Sequence, residues 1–111
     1  MTILQAIKTF CEVEETTIYD DQLLIIANGR VSQLSMIGVP ITAIDDTTDF
    51  TDFPDIKLEH TQLIQEYLNL SVIRLFDKNI QDANTTTQSW IDRHTSGILQ
   101  SLKCIYDRGA S

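Results

Sequence analysis

Apolar positions along the chain fall into four stripes with the 3.6-residue period of a helix, separated by polar stretches. Leu4, Ile7 and Cys11 stand at i, i+3 and i+7, which predicts a first helix from about Ile3 to Glu12. Thr2 and Gln5 have the spacing of a capping box at its start. Glu12, Glu14 and Glu15 crowd its other end against the helix dipole, so the helix is expected to stop early. Leu24, Ala27, Val31 and Leu34 form the second stripe. Thr17 and the pair Asp20-Asp21 favour a start near Ile18, while Gly38 and Pro40 punctuate the end. In the third helix Ile64, Leu68, Ser71/Val72 and Leu75 make the stripe, and Leu63, Tyr67 and Leu70 widen it. Pro54-Asp55 is expected to open that helix with Asp55 as N-cap, and it fades at Asp77-Lys78-Asn79. Being apolar over much of its circumference, it should be the central helix. The fourth stripe is Ile91, Thr95, Ile98, Leu102 and Ile105, on a helix from about Thr86 to Tyr106. A polar loop from Gln81 to Thr87 precedes it, Thr85 and Gln88 have capping-box spacing, and Arg108 and Gly109 close it.

Asn28-Gly29 offers a rival reading of the second segment, because this dipeptide between apolar residues is a strong hairpin signal. The flanking Leu23-Leu24-Ile25-Ile26 does not alternate with polar residues, so the helix is preferred. Gly29 then costs about 1 kcal/mol relative to Ala, tolerable where another backbone packs closely. Between helices two and three, Ile41 to Asp55 reads ITAIDDTTDFTDFPD. Beyond a short β-branched piece (Ile41, Thr42, Ile44) this is a long acidic loop, of a length that is usually functional or disordered. The expected fold is therefore all-α: one domain over residues 1–111, a small bundle of about four helices with a long acidic loop between helices two and three.

Length and charge narrow the function. The chain has 111 residues and a formal net charge of −8. It is sized for one core. No run reaches the ~18 apolar residues of a membrane span. Met1 to Glu15 lacks the basic and apolar regions of a secretory signal, so nothing points to secretion. The negative charge argues against direct binding to nucleic acid or to an anionic membrane surface.

Candidate chemistry is sparse. Asp46, Asp49, Asp52 and Asp55 recur every third residue, which is not the EF-hand spacing, and no glycine supplies the calcium-loop turn. The loop is either a solvated acidic segment or one ordered by a partner, with Phe50 and Phe53 as the anchors that are costly to leave exposed. Cys11 and Cys104 are read as two small buried hydrophobes; a disulfide would require the first and last helices to bring them within about 7 Å. His60 and His94 sit on separate helices without metal-ligand spacing and are read as ordinary, partly exposed histidines. Trp90 is expected to anchor the core, with a subunit interface as the alternative. Ser35, Ser71 and Ser96 lack a nucleophile elbow, and the four glycines form no phosphate loop. No catalytic residue, metal or cofactor is expected, and a structural or interaction protein fits better than an enzyme.

Three segments carry a resemblance: Ile7-Lys8-Thr9-Phe10 ending a short helix, Asp20-Asp21-Gln22-Leu23-Leu24-Ile25-Ile26-Ala27, and Ile64 through Asp77 (IQEYLNLSVIRLFD). This layout resembles the head-to-tail connector (adaptor) proteins of tailed bacteriophages with long non-contractile tails, from about Ile3 to Tyr106. The resemblance implies a structural virion protein of the neck, assembled in the host cytoplasm. It implies a homo-oligomeric ring of about twelve copies docked on the portal protein. The ring would extend the channel through which genomic DNA passes and offer a platform to a tail-completion or terminator-side protein. A closed ring satisfies head-to-tail contacts without open edges, and a negative lumen would let DNA pass without sticking. The partner-binding residues expected are Phe50 and Phe53 in the loop, and Tyr106 and Arg108 at the C-terminal end. The alternative is a small acidic interaction protein that inhibits a DNA-binding protein by imitating phosphate spacing, which would need carboxylates on a rigid surface.

Overall fold

The computed structural model describes residues 1–77 and 85–106. Four α-helices account for most of them: α1 (Ile3–Phe10), α2 (Asp20–Met36), α3 (Leu58–Phe76) and α4 (Thr85–Tyr106). A single 3-10 turn, Phe50–Asp52, interrupts the connection from α2 to α3, and the described residues hold no strand. The chain is an all-α bundle, and Gly29 lies inside α2, which excludes the Asn28-Gly29 hairpin.

Helix ends follow local chemistry more closely than the sequence indicated. Thr2 caps α1 by accepting a hydrogen bond from the Gln5 N–H at 3.1 Å. At its far end Val13 N–H donates to the Lys8 carbonyl and Glu12 N–H to that of Thr9, the paired bonds of a Schellman cap. The residue taking the left-handed conformation there is Glu12, at φ 62°, a position that favours glycine. The same motif ends α2, where Val39 N–H donates to Leu34 and Gly38 N–H to Ser35, with Gly38 at φ 105°. Here the left-handed residue is a glycine, and the flanking Leu34 and Val39 are both buried.

Two expected starts move. α2 begins at Asp20 with Tyr19 as N-cap and no side-chain cap; the Thr16 hydroxyl, not Thr17, accepts from Ile18 N–H in the preceding turn. Asp20 and Asp21 still complement the dipole in the first turn. α3 begins at Leu58 with Lys57 as N-cap, so Asp55 does not cap it; residues 54–56 form a turn in which Ile56 N–H donates to the Phe53 carbonyl. α4 already includes Thr85 and Gln88, so Thr85 is the first helical residue and not a cap ahead of it, and the expected loop does not extend to Thr87. The Arg108-Gly109 terminus lies outside the described residues.

α3 is central, packing against α1, α2 and α4. Its Ile64, Tyr67, Leu68, Leu70 and Val72 are buried, whereas Leu75, expected in the stripe, is 40% exposed. α2 contributes Leu23, Ala27, Val31 and Leu34, with Leu23 rather than Leu24 completing the stripe. From α4 come Ile91, Ile98 and Leu102. Lys8 of α1, almost wholly buried, lies 2.9 Å from Asp20 at the start of α2. The pair is not aligned as a hydrogen bond, so Asp20 Oδ1 is held by charge alone.

Candidate functional site

The segment between α2 and α3 is folded onto the bundle. Val39, Ile41, Ile44, Phe53 and Ile56 are core residues, and Phe50 is partly buried against them. The Asn28 side chain reaches from α2 and pairs with both backbone groups of Ile44: its Oδ1 accepts from Ile44 N–H at 2.8 Å, and its Nδ2 donates to the Ile44 carbonyl at 3.0 Å. The Ile3 N–H donates to the Thr48 carbonyl, fastening the segment to α1 as well.

Within the segment the aspartates organise turns. Asp45 accepts from Thr47 N–H and from the hydroxyls of Thr47 and Thr48, and these bonds hold its carboxyl below the ordinary value. Asp49 accepts from the Thr51 N–H and hydroxyl, with the same downward effect, and closes a reciprocal capping box with Asp52 around the 3-10 turn. Asp46 and Asp55 are exposed and hold no hydrogen bond or ion pair among the described residues. No group of three His, Cys, Asp or Glu side chains among the described residues is arranged to hold a metal ion.

Three of the four residues expected to bind partners lie among the described residues, and these three do not share one surface orientation. Phe53 faces inward, so its ring shapes the loop from within, and Phe50 presents only part of its ring. Tyr106, at the end of α4, is partly buried and lies where both ends of the α2–α3 segment converge. Its hydroxyl is 2.9 Å from His60 Nδ1, the two rings meet edge to face, and a Cβ at Gly38 would come within 3.1 Å of its carbonyl oxygen. Burial, reinforced by Glu59, raises the Tyr106 phenol pKa, so it stays protonated in this contact. Arg108 lies outside the described residues.

Two features of the surface differ from the sequence reading. Trp90 is 55% exposed and does not anchor the core. It stacks on His94 one turn further along, with ring centroids 5.2 Å apart, and His94 Nε2 meets Glu66 Oε1 of α3 at 3.0 Å. Shallow concavities flank the indole, one against Leu63 and Ile98, the other against Phe10 and Leu70. The cysteines also differ from the expected buried pair: both are free, Cys11 half-buried and Cys104 exposed.

Sequence reasoning missed a cleft between α2, α3 and α4, about 160 Å³ in volume and lined by Arg30, Gln33, Tyr67, Arg74 and Asp92. Arg30 Nη1 donates to Gln33 Oε1 at 3.2 Å, and the Tyr67 hydroxyl donates to the same oxygen at 2.9 Å. Arg74 pairs with Asp92 at 3.2 Å. The available signal was that arginines are few in so acidic a chain, but nothing in the spacing links Arg30 to Arg74.

Among the described residues the surface of the bundle carries an exposed aromatic, Trp90, and a cleft lined by Arg30 and Arg74. The chain belongs to the phage connector protein family, whose model matches residues 3–109. It is thus a structural connector protein of a bacteriophage. No curated protein and no solved structure gives a significant match. Among the described residues no helix is long and apolar enough to cross a membrane.

Proposed function

We propose that this chain forms the head-to-tail connector ring in the neck of the virion, with copies (about twelve, as in the connectors it resembles) docking under the portal, extending the DNA channel and presenting a platform for tail attachment. The observation that carries the reading is the family match over nearly the whole chain. The bundle is consistent with it, because Ile18, Ile25, Met36, Leu58 and Trp90 are left more than half exposed in a single copy, and apolar surface of this kind is characteristic of assembling proteins. The net charge of −8 suits a channel that DNA traverses without adhering. On this reading the end of α4, Tyr106 and Arg108 beyond it, serves the portal side, and Phe50 with Phe53 holds the α2–α3 segment in the shape that a neighbour meets.

Co-expression with the portal protein of the same phage tests this directly. The tagged portal should retain the connector through purification and the two should co-migrate. A folded chain that leaves the portal during purification, and instead forms a 1:1 complex with a DNA-binding protein, would overturn the reading.

A further inference from the structure

We propose that neighbouring copies in the assembly are joined by the Arg30–Arg74 cleft of one copy receiving the Asp46 and Asp55 carboxylates of the next copy's α2–α3 segment. The inference rests on the ring reading above and names the contact that would build it.

Three observations converge on this pairing. The first is the state of Arg30. The residue is partly buried, and its guanidinium donates an exposed hydrogen bond to the neutral Gln33 amide. Among the described residues no carboxylate pairs with it, in a chain with sixteen acidic and eight basic residues. Arg74 adds a second guanidinium to the same cleft, a quarter exposed and only singly contacted by Asp92. A cleft of about 160 Å³ with two arginines admits a carboxylate side chain, which arginine binds with charge-assisted and often bidentate geometry.

The second is the state of the loop. Residues 41–56 contain five aspartates and no Lys, Arg or His. Asp45, Asp49 and Asp52 are occupied in the loop's own turns, which makes the segment a defined shape; Asp46 and Asp55 are exposed and have no partner among the described residues.

The third is placement. The buried stripe of α2 runs through Leu23, Ala27, Val31 and Leu34. Asn28, which holds the acidic segment through Ile44, lies on one flank of that stripe; Arg30 lies on the other, about 200° around the helix from Asn28. The loop therefore cannot fill its own cleft, yet each copy carries both halves of a complementary pair. Two different surfaces on opposite flanks make a heterologous contact, the kind that closes into rings when the rotation allows. Copies that repel through their net charge also need a local meeting of opposite charges to associate in register.

The test uses full-length chain and native mass measurement at low and high salt, alone and with the portal, on R30E and on the loop variant D46K/D55K. The loop residues are exposed, so the second variant keeps the fold even where the first disturbs it; circular dichroism and a thermal melt check both. Each variant should weaken self-association by about tenfold or more, and high salt should weaken that of the wild type. An equimolar mixture of the two variants should recover association in alternating copies, since the wild-type loop of one meets the wild-type cleft of the other and the introduced lysines meet the introduced glutamate. A mixture no better than either variant alone would count against the contact. Wild-type rings together with unimpaired variants would refute the contact and leave the ring reading standing. Loss of portal co-migration in R30E with self-association intact would assign the cleft to the portal and refute the contact too. A wild-type chain that stays monomeric alone and with the portal would remove both proposals.

Discussion

The Asn28 side-chain amide pairs with the backbone of Ile44 through both its oxygen and its nitrogen, at 2.8 and 3.0 Å. It does for one residue what a neighbouring strand would do, satisfying a donor and an acceptor of a segment that has no strand partner. Replacing Asn28 by Ala should lower stability by about 1–3 kcal/mol, because a part-buried N–H and carbonyl lose their partners together. Asn28→Asp is the sharper probe: it can still accept from Ile44 N–H but meets the Ile44 carbonyl with a negative charge. Denaturant melts of both variants check this, and an unchanged midpoint in Asn28→Ala would show that the segment is held by its apolar residues alone.

The glycine inside α2 and the glycine that follows its C-terminal end should respond in opposite directions. A Cβ at Gly29 meets nothing within 4 Å, so Gly29→Ala should gain about 0.4–1 kcal/mol by restricting the unfolded chain. This also removes the close helix crossing that would have excused a mid-helix glycine. Gly38→Ala should lose about 1–2 kcal/mol or more, since φ is 105° and the new methyl would press on the Tyr106 carbonyl at 3.1 Å. Thermal melts of the two variants, shifted in the same direction, would contradict the account.

Burial, with Asp77 as the lesser cause, pushes the Cys11 thiol from 9.0 up to about 11, while Cys104 is exposed. At pH 8 iodoacetamide should therefore modify Cys104 well before Cys11, because the thiolate is the reacting species and access adds to the difference. The sign for stability follows. Keeping Cys11 protonated is favoured in the folded state, so its contribution is intact below pH 9 and declines as pH rises toward 11. Peptide mass mapping over time reads the order of modification; equal rates would mean that Cys11 is open to solvent.

Truncation after Asp107 removes Arg108 and leaves the His60–Tyr106 contact in place. The shortened chain keeps every described core residue and should melt within about 0.5 kcal/mol of the full one. Binding to the portal should weaken. Normal yields of infectious particles from the truncated chain would defeat the docking role of the C-terminal end.

Much of the fold was legible in the sequence because burial follows helical period: Leu4 and Ile7, Ala27 through Leu34, Ile64 through Val72, and Ile91 through Leu102 are the residues that pack. Helix starts were less legible, since Tyr19 and Lys57 sit at N-caps without a capping side chain, and the nearby Thr17 and Asp55 look like better caps than they prove to be. The order within the acidic segment was readable in principle: Asp45 with Thr47 and Asp49 with Thr51 have the spacing of an Asp side chain bonding two residues on. Whether an aromatic near a helix start faces in or out depends on the helix's rotation against its neighbours, which is why Trp90 reads as a core residue in the sequence and yet lies on the surface. The cleft of Arg30 and Arg74 was out of reach, because only the packing of α2, α3 and α4 brings those two side chains together.

The central claim is a closed ring on the portal, and the most direct measurement is the native mass of the purified portal–connector complex. The account predicts one dominant species with a fixed, integral number of connector copies per portal ring, which imaging shows as a single annulus coaxial with it. A ladder of loosely bound single copies, or a complex in which one copy sits off the axis, would contradict it.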